Sequence, residues 1–141
     1  MIKDDLSLKG KLTIAVNGQT VREVPNLVVT AGKEFVASRM AGVSSDEMSH
    51  MAIGTSSTSP AAADITLGTE AARVTLTSTT VTNANVVYVA SFPAGIGTGA
   101  IVEAGLFNAA SGGDMLCRTT FAVVNKGAND SITITWTVTV S

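Results

Sequence analysis

Apolar and polar residues alternate through much of this chain, most cleanly in its closing stretch, "DSITITWTVTVS", residues 130–141. Ile132, Ile134, Trp136, Val138 and Val140 share one parity, and Thr133, Thr135, Thr137, Thr139 and Ser141 share the other. A period of two is the signature of a strand with one buried face. The same rhythm in "LSLKGKLTIAVNG" predicts a strand from Leu6 to a turn at Asn17–Gly18, a dipeptide that favours two-residue hairpins. A second strand follows over residues 20–29. Pro25 has no N–H to give to a ladder, so that strand lies at an edge or breaks there.

Through "TAGKEFVASRMAG" the period lengthens. Phe35, Val36, Arg39 and Met40 fall on one helical face, with Thr30 as N-cap and Gly42 as the stop, which predicts one helix of about two to three turns. Strands are expected at 48–55, 73–78, 86–92, 99–109 and 115–125, before the closing one. Loops with Ser, Thr, Pro and Gly signals separate them, at 56–64, Gly68, 111–114 and 126–130. The spacing of the last three strands predicts three consecutive antiparallel neighbours joined by tight turns. With about eight or nine strands and one short helix, the expected class is all-β, an antiparallel β-sandwich, with jelly-roll as its specific form. A length of 141 residues suits a single domain over 1–141, with a candidate N-terminal arm at 1–8.

Composition changes this picture in one respect. Charged residues make up 14% of the chain, against ~25% in a typical globular domain. Ala, Ser, Thr, Gly and Asn take their place, and charge depletion of this kind marks the cores of interfaces. The net charge is −2 and no basic run occurs, which speaks against nucleic-acid binding through phosphates. The apolar runs are far shorter than the ~18 residues a membrane helix needs. "MIKDDLSLKG" places two Asp before any apolar block, unlike a secretory leader, so synthesis in the cytoplasm is expected. The one cysteine, Cys117, has no partner for an intrachain disulfide.

Candidate chemistry is sparse. "GIGTGA" at 95–100 leads into a strand, not into the helix that a dinucleotide loop requires, so it reads as a glycine-rich turn. His50 is the only histidine and Cys117 has no spaced partners, so neither zinc nor another metal is expected. Cys117 reads as a small buried hydrophobe. Asp46 and Glu47 form an acidic loop without the oxygen spacing of a calcium loop. Glu103 interrupts the apolar strand "AIVEAGLF", and Arg118 lies on the next strand of the expected hairpin. A structural cross-strand ion pair, at an edge or interface, is favoured over a catalytic acid. No "GxSxG" elbow or paired-carboxylate arrangement emerges. The expectation is a protein that is not an enzyme and uses no cofactor.

"NLVVTAGKEFVASRMAG" followed by "MSHMAIGTSSTSPAAADITLGTEAAR" resembles a phrase common in the virion proteins of tailed phages. In that phrase a capped helix leads to a strand ending "AIGT", a Ser/Thr/Pro/Ala loop, "LGTE" and an arginine; here these are 31–41, 51–55, 56–64, 67–70 and Arg73. The stretch from "FPAGIGTGAIVEAGLF" to the end is similar to the remainder of the same small proteins, so the resemblance spans roughly residues 26–140. A small jelly-roll member of this group resembles capsid cement (decoration) proteins. The resemblance implies a place on the outer surface of the phage head, with the major capsid protein as partner, bridging of neighbouring capsomers, and a homodimer or other self-association. It carries no roles for individual residues. A baseplate, collar or tail-fibre attachment protein is the alternative, and a carbohydrate-binding β-sandwich a more distant one. Candidate interface residues are Ile2, Lys3, Leu6 and Leu8 in the arm and Thr133, Thr135, Thr137 and Thr139 on the hydroxyl face. The arm reads equally as an adhesive extension or a frayed terminus. The last strand is either an internal wall or an edge made to meet a partner.

Overall fold

The computed structural model describes residues 6–43 and 46–141. Nine antiparallel strands and one helix follow in the order β1 (Leu8–Val16), β2 (Gln19–Val28), α1 (Thr30–Met40), β3 (His50–Gly54), β4 (Glu70–Thr75), β5 (Ser78–Thr82), β6 (Asn85–Phe92), β7 (Gly99–Phe107), β8 (Met115–Lys126) and β9 (Ile132–Val140). They form one hydrogen-bonded sheet, β4-β3-β7-β8-β2-β1-β9-β6-β5. The sheet curls until its two halves face each other, giving a sandwich-like all-β fold; the pairing does not by itself establish the jelly-roll form.

β2 is the hinge between the halves. It pairs with β1 from Gly10 to Val16, but with β8 only at Leu27 and Val28. At Pro25 the strand therefore has a neighbour on one side only, which is where a residue without an N–H is tolerated. Leu12 and Ile14 of β1, Ile134 and Trp136 of β9, and Phe92 of β6 face Met51 and Ile53 of β3 and Ile101 and Leu106 of β7 across the core. On β1, β3, β6 and β9 they come from one parity of the strand; on β7 an irregularity between Ile101 and Glu103 shifts the parity, so Ile101 and Leu106 reach the same core.

The turn at Asn17–Gly18 has positive φ at both residues (50° and 85°), as a tight hairpin of matching twist requires. The helix differs in detail from expectation. Val29, not Thr30, is its N-cap, and no side chain caps it. The carbonyl of Ala62, brought over by a loop, accepts the N–H of Thr30 instead (2.8 Å). At the other end Val43 donates to Ser38 and Gly42 to Arg39, the paired bonds of a Schellman stop. Phe35 and Val36 pack on the core, but Met40 is exposed. Gly32 allows the helix to lie directly on β8, because a Cβ there would collide with the backbone of Leu116.

Two expectations about connectivity are corrected. The last three strands are not three consecutive neighbours. β7 and β8 pair, but β9 crosses to the other half and pairs with β1 along its whole length and with β6. The turn after β8 is held toward the first hairpin: Asp130 accepts from the Asn17 side chain (2.9 Å) and from the Gly127 N–H (2.8 Å). The strand expected at 73–78 ends at Thr75, and a further strand that was not expected, β5, starts at Ser78. The N–H of Leu76 goes to Ser49 in one half and that of Thr77 to Val89 in the other, so the chain changes sides between them. The run "VTLTSTTVT" hides this corner, because strand-favouring residues pass through it with no Gly, Pro, Asn or Asp to mark a turn.

Candidate functional site

Two regions carry the side chains singled out in the sequence, on opposite outer faces. The first is the outer face of β7 and β8. Glu103 and Arg118 meet there on interior strands, offset by one pair because Arg118 stands opposite Gly105. Arg118 donates to one Glu103 carboxylate oxygen through Nε (3.2 Å) and through Nη2 (3.0 Å). The pair is cross-strand, but it sits at no edge: loop 55–69 covers it and both side chains are buried.

That loop supplies the rest of the site. Glu103 also accepts backbone N–H bonds from Ser56 (2.9 Å), Gly68 (2.8 Å) and Thr69 (2.8 Å). Arg118 reaches the carbonyl of Thr58 (2.9 Å) and the carboxylate of Asp64 (3.1 Å), which in turn accepts from the Ala61 N–H. Gly54 makes room, since a Cβ there would collide with the Thr69 carbonyl and the Glu103 carboxylate. Val29, Ala52, Leu67, Phe107 and Met115 form a small apolar cluster on the same face. Arg73 stacks over the Phe107 ring (3.8 Å), binds Glu70, and donates to the carbonyls of Ala109 and Gly112. The "AIGT … LGTE … R" phrase thus has a physical content. It is the two ends of a loop folded around one buried carboxylate, and an arginine that clamps the β7–β8 turn.

Burial opposes ionisation of Glu103, but the Thr69, Ser56 and Gly68 amides and the Arg118 guanidinium outweigh it and hold its carboxyl below the usual carboxylate range. Unfolded glutamate titrates near ~4.3. A folded value below that means the contribution of Glu103 to stability is complete above about pH 4.3 and is lost as pH falls through the folded value. Thermal unfolding followed by circular dichroism is therefore expected to show Tm falling with acid below about pH 4.3, and Glu103→Gln should flatten that slope. An equal slope in the variant would assign the acid sensitivity elsewhere.

The second region is the outer face of the other half-sheet. β9 lies at its centre, between β1 and β6, so its threonines are part of an internal strand and not of an edge. Thr133, Thr135, Thr137 and Thr139 form a half-buried column. Thr135 stands between Thr13 and Val89, and Thr137 between Lys11 and Val87. Ser91 bonds Thr133 (3.3 Å), and Thr139 donates to Asn85 (2.6 Å). From β9 through β6 to β5 this face bears only hydroxyls, valines and one amide. Its charges, Lys9, Lys11 and Glu23, are confined to the β1–β2 side, where Lys11 and Glu23 pair at 2.8 Å.

Ile2 and Lys3 lie outside the described residues. Ser7 and Ser141 exchange backbone bonds, and Leu8 begins β1, so the arm expected at 1–8 does not include its last two residues. Leu6 is 75% exposed and lines an apolar groove with Leu8, Val36, Met40 and Val140. Cys117 is fully buried, and burial pushes its thiol well above the ordinary range, away from a nucleophile. His50 meets the Ser49 hydroxyl through Nδ1 (2.8 Å). Among the described residues no group of three or more His, Cys, Asp or Glu is placed to hold a metal, and no helix is long and apolar enough to cross a membrane. Sequence reasoning missed the loop amides as partners of Glu103, because backbone donors leave no residue-type signal, and Asp64 as a partner of Arg118, because no local pattern brings a residue of that loop to β8. Comparison of the chain with protein-family models, with curated proteins and with solved structures finds no match.

Proposed function

We propose that this chain is a non-enzymatic structural protein of a tailed-phage virion, a cement protein that binds the outer surface of the head and bridges neighbouring capsomers. The observation that carries the reading is the charge-free outer face of β9, β6 and β5, about 10 Å across and about 20 Å long by strand geometry. Threonine keeps the strand well formed and can bond to a partner or to bridging water, while valine supplies apolar contact. Depletion of charge at the centre with Lys9, Lys11 and Glu23 at the margin is the composition of an interface core and rim. The phage-like phrase supports the same reading.

The mechanism is linkage. A ligand that binds only the assembled shell stabilises that shell, and many copies make modest contacts add up. The partner is the major capsid protein, the chain self-associates, and it acts on the virion surface after synthesis in the host cytoplasm. The tail-associated alternative makes the same use of a rigid body but predicts few copies. Trp136, Phe92, Phe107 and Tyr88 are buried, and Phe35 and Phe121 are partly buried against the core, so none of the six aromatic rings stands fully exposed, which disfavours the carbohydrate-binding reading.

Co-sedimentation of the purified chain with heads that lack it tests the proposal. Thr135→Lys is expected to weaken binding at least about tenfold while moving stability by no more than ~0.5 kcal/mol. Cryo-EM density for the chain at the tail vertex alone, or heads that bind the variant as well as the parent, would overturn it.

A further inference from the structure

The two ends of the curled sheet are built differently. β4, at one end, carries Glu70 and Arg73 and meets β3 through a bulge near Gly54. Charges and bulges are what keep an edge from accepting a foreign strand. β5, at the other end, has neither. Its sequence is STTVT, all five residues are exposed, and it pairs with β6 without a register shift. No Asp, Glu, Lys, Arg or His occurs between Val74 and Val102, so the whole β5–β6 end is uncharged.

Half of the β5 backbone is spent. Val140 donates to Ala84 on one side of β6, and Thr77 donates to Val89 on the other. Backbone groups alternate in direction along a strand, so even-numbered residues of β6 face β9 and odd-numbered ones face β5. The partners of the odd residues are Ser78, Thr80 and Thr82. That leaves the N–H and C=O of Thr79 and Val81 directed away from the sheet.

These groups are complementary to themselves. Antiparallel pairing about a twofold axis at Thr80 sets Thr79 opposite Val81 of a second copy, and closes about four N–H···O=C bonds. The same register sets Thr80 against Thr80 and Ser78 against Thr82, hydroxyl facing hydroxyl, a favoured cross-strand pairing. No like charges meet, and Val81, 69% exposed in the single chain, is covered.

We propose that β5 is an interaction edge whose partner is a second copy of this chain, joined by antiparallel β5–β5 pairing into one sheet that runs through both copies. The inference rests on the docking role of the outer face, since the pairing sets two such faces side by side. Five residues a side bury far less than the ~1,200 Å² typical of stable complexes. The pair is therefore weak in free solution and forms fully where a lattice of sites raises the local concentration.

Sedimentation velocity of the full chain without particles, up to about 1 mM, should show a monomer passing to a dimer. Val81→Pro removes an outward donor at a position where proline is tolerated, so circular dichroism and Tm should stay those of the parent. Thr80→Lys sets two ammonium groups across the axis. Each variant should raise the dimer dissociation constant at least about tenfold, and an equimolar mixture of Thr80→Lys and Thr80→Glu should restore the dimer. A parent that stays monomeric throughout, or a dimer indifferent to these substitutions, would overturn the proposal. A monomeric parent whose Val81→Pro variant still loses head binding would give the edge to a strand of the shell protein, and would overturn it too. Intact dimerisation with no head binding would instead sink the docking role and leave this pairing standing.

Discussion

Glu103→Ala is expected to cost about 3–5 kcal/mol of stability, among the largest effects of any single substitution in this chain. The carboxylate is fully buried and collects three backbone N–H groups and two guanidinium N–H groups. Removing it leaves all of those donors without the acceptor that the loop is folded around. Arg118→Met should cost less, about 2–3 kcal/mol, because Ser56, Gly68 and Thr69 still hold the carboxylate and Asp64 is partly exposed. The double variant Glu103→Leu/Arg118→Met separates two accounts. An isolated buried ion pair can often be exchanged for apolar side chains at little cost. Here the three loop amides would remain unpaired, so the double variant should stay well below the parent. Urea unfolding gives the energies. Hydrogen exchange of the amides of Ser56, Gly68 and Thr69 should accelerate before that of the β7 and β8 ladder. A double variant as stable as the parent would mean that the loop is held by packing and that the charges are incidental.

Trp136→Ala should destabilise the chain by about 3–5 kcal/mol by opening a cavity at the centre of the larger core cluster. The ring is fully buried and stands between Leu12 on β1 and Tyr88 on β6. Its indole nitrogen has no hydrogen-bond partner among the described residues. Burying such a donor costs about 1–3 kcal/mol. Trp136→Phe removes that donor along with part of the ring, so its two effects oppose each other, and a net cost below about 2 kcal/mol is expected. Chemical denaturation of both variants checks this. As the only tryptophan, Trp136 also reports directly on itself, and its emission should shift to the red on unfolding. An unchanged Tm in the alanine variant would place the ring outside the core.

Much of the strand content was legible because each segment repeats its own side-chain period. β9 is the clearest case, and the hairpin at Asn17–Gly18, the strand after it and the end of β6 at Pro93 follow from equally local rules. The Glu103–Arg118 pair was legible for the same reason, since one short turn puts the two residues on neighbouring strands. Its setting was not. Whether that pair lies at an edge or beneath a loop depends on where residues 55–69 come to rest, and their hold on Glu103 runs through backbone amides that every residue type possesses. The N-cap expected at Thr30 failed on similar grounds: Val29 takes that position, and the first N–H of the helix, that of Thr30, goes to the carbonyl of Ala62, distant in sequence.

The hydroxyl face of the last strand marks the boundary between the two kinds of information. That Thr133, Thr135, Thr137 and Thr139 share a face opposite Trp136 was determined by the sequence alone, because adjacent side chains on an extended backbone must point to opposite sides. Whether that face was an edge or an inner wall could only be decided by tertiary structure. Strand order depends on which long-range pairings bury the most apolar surface together, and no local pattern encodes it. β9 crossed away from β8 to complete β1 and β6, and so became a central strand. The unprotected edge fell to β5, a strand that no turn signal sets apart from β4 and that was not expected from the sequence.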